Sequence, residues 1–119
     1  MTTELCAYSL EACETARRAG VTRVELCASP WEGGTTPSAA AIRMARRIPG
    51  LQLSVMVRPR GGDFLCSDSE FRQMCEEIRF ARACGADGVV FGLLTADGCV
   101  DRERTAALVA EAGPMQTTF

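Results

Sequence analysis

Leu51-Gln52-Leu53-Ser54-Val55-Met56-Val57-Arg58-Pro59-Arg60-Gly61-Gly62-Asp63-Phe64 is the stretch on which the fold of this chain turns. Its first half is mostly apolar and then stops. Pro59 fixes its own φ and offers no backbone N–H, so a strand over 51–57 cannot run through it. Gly61 and Gly62 admit positive φ and a close approach of backbone to something outside. Beyond the loop, Ser67-Asp68-Ser69-Glu70 reads as a capping box, a serine with a glutamate three residues on. In the helix it opens, Met74, Ile78, Ala81 and Arg82 recur at spacings of three and four, which predicts a stripe facing a sheet. The order is therefore strand, glycine-bearing loop, helix.

The same order repeats on both sides. A strand is predicted over 3–8, and Ser9 caps a helix over 10–19 that Gly20 closes in the left-handed region. A second strand covers 22–27. A loop over 28–37 follows, with Thr36 as N-cap and Pro37 as first residue of the next helix, which ends before Pro49-Gly50. Beyond Gly85, residues 87–94 are apolar on consecutive positions, as in a strand buried on both faces. Asp101 caps a helix ending near Glu111, Gly113-Pro114 breaks it, and 115–119 reads as a fifth strand. Successive strand–helix units mean a parallel sheet of the α/β class. Because βαβ crossovers are right-handed, such units curl one way, toward a TIM-type (β/α) barrel. An eight-stranded barrel needs about 250 residues. At 119 residues the chain is read as a single partial (β/α) barrel domain over 1–119, a truncated N-terminal half with about five parallel strands and four helices.

Composition narrows the function classes. A net charge of −2 argues against non-specific nucleic-acid or anionic-membrane binding. No apolar run reaches a membrane span of about 18 residues, and the N-terminus lacks a signal-peptide pattern. A cytoplasmic location is expected. Seven cysteines there read as thiols, not a disulfide framework. There is no histidine and no CxxC pair, so neither a zinc site nor a histidine base is expected. Cys13, Cys75 and Cys84 fall on helices and read as core; Cys66 and Cys99 fall in loops.

Side chains alternate along a strand, so Glu4 and Cys6 share one side, as do Glu25 and Cys27, and Met56 and Arg58. Inward carboxylates are costly unless paired. Arg58 is therefore expected to point at the barrel axis and pair with Glu25 or Glu4, leaving Arg60 free in the loop. Two chemistries follow. Glu4, Glu25 and Arg58 are catalytic candidates, a buried glutamate serving as general base. Arg58, Arg60, Gly61, Gly62 and Asp63 are candidates for holding a small anion such as a phosphate or carboxylate. The same features also describe a solvated loop held by an Arg–Asp pair, and a polar plug in a barrel interior.

Several motifs together resemble the CutC family. These are Glu-Leu-Cys at 4–6 and again at 25–27, Glu32-Gly33-Gly34-Thr35-Thr36-Pro37-Ser38, Arg58-Pro59-Arg60-Gly61-Gly62-Asp63-Phe64, Asp87-Gly88-Val89-Val90-Phe91-Gly92 and Thr117-Thr118-Phe119. The resemblance spans the chain and implies a (β/α) barrel concerned with copper homeostasis. It also implies Cys6 and Cys27 as ligands of copper, Cu(I), for which soft thiolates suit. Same-side cysteines at equal height on adjacent strands, about 4.8 Å apart, could share one ion. The first reading is thus a cytoplasmic copper-binding protein, whose partner is a copper ion. The alternative is a (β/α)-barrel enzyme or anion-binding protein of unknown substrate. An open half-barrel lined by Val55, Val57 and the 89–94 run would expose apolar surface and two sheet edges, so the chain is expected to form a homo-oligomer.

Overall fold

Strands and helices alternate throughout the computed structural model, which describes residues 2–119. In chain order they are β1 (Glu4–Ala7), α1 (Leu10–Arg18), β2 (Arg23–Leu26), α2 (Ala39–Arg46), β3 (Gln52–Met56), α3 (Asp68–Ala83), β4 (Gly88–Val90), α4 (Arg102–Ala112) and β5 (Gln116–Thr118). A short 3-10 turn, Pro30–Glu32, lies in the loop after β2. All strand pairings are parallel, and spatial order follows chain order from β1 to β5. That is how a right-handed (β/α) barrel begins, each crossover advancing by one strand.

Side-chain oxygens start the helices. Ser9 accepts from the Ala12 N–H, Ser38 from Ala41, and Asp101 from Arg104. The Ser67/Glu70 capping box is complete, each side chain bonded to the other residue's backbone N–H. One start differs from expectation: α2 is capped by Ser38, not Thr36. The Thr36 hydroxyl is engaged elsewhere, accepting from the Arg58 N–H at 2.9 Å and donating to Glu77 at 2.8 Å. Arg82 also departs from the α3 stripe. Met74, Ile78 and Ala81 are buried, whereas Arg82 lies outside and donates to the Glu111 carbonyl on α4.

The pleat divides the sheet into two faces. Val24, Leu26, Leu53, Val55, Val57, Val89, Phe91 and Leu93 join one core with Ile42 of α2, Met74 and Ile78 of α3 and Leu108 of α4. The opposite, inner face carries Glu4, Cys6, Arg23, Glu25, Ser54, Met56, Val90, Gln116 and Thr118 in the alternate positions. This corrects the expected lining. Val55 and Val57 are fully buried against helices, and only Val90 of the 89–94 run is paired on the inner face. Alternation decides it, because residues an odd number apart cannot share a face. The inner face is consequently polar along β1 and β2.

The fourth strand is shorter than the apolar run suggested. Its ladder ends near Phe91, which still donates to the Thr118 carbonyl, before the Leu94 N–H turns to Phe64. Below it, the Asp87 carboxylate accepts from the Leu53 N–H at 2.8 Å and from Arg46 at 2.5 Å, tying β3, β4 and α2 together. No helix among the described residues is long and apolar enough to cross a membrane.

The face assignment is open to measurement. Leu53→Ala removes a fully buried helix-facing side chain and should cost about 2–5 kcal/mol. Gln116→Ala, on the exposed inner face, should stay within about 0.5 kcal/mol of the parent. Urea midpoints of the two variants give the comparison.

Candidate functional site

The β1–β2 register sets the site. Cα pairing runs Glu4 with Arg23, Leu5 with Val24, Cys6 with Glu25 and Ala7 with Leu26. The two Glu-Leu-Cys copies are therefore offset by two residues, and their cysteines are not at equal height. Strands that close into a barrel must stagger, which is why equal copies need not sit level. Glu4 lies beside Arg23, whose Nε comes within 2.8 Å of its carboxylate as an ion pair without a well-aligned hydrogen bond. Ser54 also donates to Glu4, at 3.1 Å.

Glu25 is left at the level of Cys6, with Cys27 on the next inward position of its own strand. Their side chains converge. The Cys6 and Cys27 sulfurs are 3.7 Å apart, and the Cys27 thiol lies 3.4 Å from Glu25 Oε1. One donor atom from each of Cys6, Glu25 and Cys27 falls within 4.8 Å of the others. Diagonal backbone neighbours on adjacent strands lie roughly 7–8 Å apart. A disulfide needs closer Cα atoms than about 7 Å, so this diagonal suits a bridging ion better. Two metal–sulfur bonds of about 2.3 Å placed end to end would span about 4.6 Å. The observed 3.7 Å is shorter, which fits a bent pair with room for a third donor. The cluster fits a soft or borderline cation.

Burial differs across the pair. Cys6 is exposed on the open inner face, while Cys27 is buried beneath the loop after β2. Burial, then the adjacent Cys6 and Glu25, pushes the Cys27 thiol far above its ordinary range. Tyr8 is raised to about 12, first by its proximity to Cys6. Gly34 makes the cover possible. Its φ is +99°, and a Cβ there would stand 3.4 Å from Cys27 Sγ and 3.7 Å from the Met56 methyl.

The arginine loop lies at the same rim but is organised differently from the expectation. Arg58 pairs with neither Glu25 nor Glu4. Its guanidinium donates to the carbonyls of Glu32 at 2.7 Å, Gly34 at 3.1 Å and Gly62 at 2.7 Å, and lies over the Phe64 ring at 4.6 Å. Glu4 already has Arg23, and the turns around Gly34 and Gly62 present unpaired carbonyls at the level Arg58 reaches. Arg60 is not free either. It donates to Glu70 at 2.7 Å, to Asp63 at 3.0 Å, and to the carbonyls of Gly61, Asp63 and Leu65. Gly61 packs so tightly that a Cβ would lie 2.8 Å from the Glu32 side chain. Thus Arg58, Arg60, Gly61, Gly62 and Asp63 come together as a joint between the loops after β2 and β3.

Beside this joint, Met56, Arg58, Phe64, Val90, Leu94 and Phe119 line a cavity of about 380 Å³ on the inner face. The sequence reading missed Glu25 as a neighbour of both sulfurs, Arg23 as the partner of Glu4, and Gly34 as the cover of Cys27. The stagger expected of a closing sheet was the available signal for the first two.

The CutC family model matches residues 1–119. A CutC family protein of Chromobacterium violaceum is 53% identical over 116 residues, covering 98% of this chain and 47% of the relative. One from Porphyromonas gingivalis is 48% identical over 119 residues, covering 100% and 48%. The chain thus spans about half the length of these curated relatives. A crystal structure from Streptococcus agalactiae, described provisionally as a copper homeostasis protein CutC, superposes with a TM-score of 0.91 at 35% identity. It matches 98% of this chain and 57% of its own. A Burkholderia cenocepacia structure, described provisionally as a phosphonomutase, shares the fold at a TM-score of 0.62 and 17% identity, over 93% of this chain and 46% of its own.

The arginine joint carries a pH dependence. The Ser67 N–H first, then Arg60, hold Glu70 below the usual carboxylate range. A depressed folded-state pKa stabilises above the unfolded value of about 4.3 and is lost as pH falls through the folded value. Glu70→Gln should therefore unfold earlier than the parent at pH 7, with the gap closing below about pH 4. Thermal unfolding of both proteins across that range checks it; a gap independent of pH would contradict the linkage.

Proposed function

The chain belongs to the CutC family, and from that premise we propose that it binds Cu(I) through Cys6 and Cys27 in the service of copper homeostasis. The approach of the two sulfurs to 3.7 Å carries the reading. Thiolates select soft ions, and one thiol is exposed where an ion could arrive while the other is buried where it could be kept. Copper is here the cargo. Glu25 is close enough to serve as a third donor. The ligands must shed protons to bind, so loading releases protons to solvent.

Seven free thiols support a reducing, cytoplasmic setting. We treat residues 1–119 as one partial (β/α) barrel domain, its five parallel strands ordered β1 to β5. The inner face is polar along β1 and β2, and its apolar part, the cavity near β4 and β5, is the surface that supports a homo-oligomer. An anion site at Arg58 and Arg60 would first have to displace the carbonyl and carboxylate contacts they already make. The thiol pair is therefore the stronger reading.

Cys6→Ser and Cys27→Ser should each abolish tight Cu(I) binding, while Cys75→Ser, on α3, should leave it unchanged. Competition with a Cu(I) chelator under reducing conditions is the measurement. Equal binding by all three variants would remove the site.

A further inference from the structure

We infer that Met56 supplies its thioether to the Cys6–Cys27 centre and that this third sulfur sets a preference for Cu(I) over divalent zinc. The inference rests on the copper reading above. Met56 is the last residue of β3 and, by strand alternation, faces inward with Ser54. One residue beyond the paired Leu26 and Val55, it stands at the level of Cys27 on the neighbouring strand. Its methyl and the Cys27 sulfur both pack against the point where Gly34 lacks a Cβ, at 3.7 and 3.4 Å. Gly34 is fixed there because its carbonyl accepts from Arg58. No side chain from that loop position separates the thioether from the thiol.

The centre thus has two candidates for a third donor. Glu25 offers a hard carboxylate oxygen at the level of Cys6. Met56 offers a soft thioether at the level of Cys27. Zinc accepts carboxylate oxygen readily, whereas thioethers favour Cu(I). A thioether also has no proton to lose and brings no charge, which suits its half-buried position above an apolar cavity. Methionine often only fills gaps in packing. A packing role would affect both ions alike; a ligand role would affect one.

Binding constants for Cu(I) and Zn(II) are measured by chelator competition on the 119-residue chain, the Cu(I) series under anaerobic, reducing conditions. The proteins compared are the parent, Met56→Leu, which conserves volume, and Glu25→Gln. Met56→Leu should weaken Cu(I) by about tenfold and leave Zn(II) within about twofold. Glu25→Gln should do the reverse. Equal loss for both ions in Met56→Leu, or loss for neither, overturns the inference. Should that variant not fold, copper-edge X-ray absorption of the selenomethionine-labelled parent decides alone. A selenium neighbour of copper supports Met56, and its absence overturns it. If Cys6→Ser and Cys27→Ser keep tight Cu(I) binding, the copper reading itself falls. Cysteine-dependent binding with no Met56 effect removes only the present inference.

Discussion

Strands in a closing parallel sheet do not sit level, and the two-residue step between β1 and β2 governs what the reactive residues of this chain can do. Had the two Glu-Leu-Cys copies been level, Glu4 would face Glu25 on the same side of the sheet. Like charges directly opposed on adjacent strands repel. The step exchanges that repulsion for the Glu4–Arg23 ion pair, with Ser54 adding a hydrogen bond. It also frees Glu25 to stand beside Cys6. Thus the charge pairing that favours this register is also what assembles a cluster of two sulfurs and one carboxylate.

The rim above the cluster depends on two arginines that act on backbone. Arg58 gathers carbonyls from the loops after β2 and β3, and Arg60 gathers carbonyls and two carboxylates from its own loop and the start of α3. Charged donors to carbonyls make strong bonds, and a planar guanidinium reaches several in one geometry. The result is a stiff joint across two otherwise long loops. Through the Arg58 bond to its carbonyl, Gly34 is held over Cys27, so a guanidinium shapes the thiol site by way of the backbone.

Burial follows the same economy of position. The helix-facing side of the sheet is apolar from β2 to β4, and the opposite side concentrates charge on β1 and β2 and apolar atoms near β4 and β5. The sulfurs lie between these zones, next to charge on one side and to a methionine and an apolar cavity on the other. A soft ion suits such a boundary, because thiolate and thioether contacts need little help from solvent.

Alternating strands, glycine-ended helices, the Ser67/Glu70 box and the βαβ order were legible in the sequence, because each depends on residues a few positions apart. The resemblance carried by the Arg58–Phe64 loop and the doubled Glu-Leu-Cys likewise needed no coordinates. Cys6 and Cys27 could be named from that resemblance, but their offset could not. Register is a relation between segments, and local propensity leaves a strand free to slide by two residues without exposing its core face. The partners of Arg58 were hidden for a related reason. A guanidinium near a turn takes whichever acceptors the neighbouring loop presents, and those carbonyls lie 24 and 26 positions earlier in the chain. What the sequence alone determined was which residues of a strand share a side, whereas the side taken by Val55, Val57 and most of the 89–94 run came only with the structure. The tertiary structure decided which of them meet, because height along the sheet is set by stagger and charge pairing between strands.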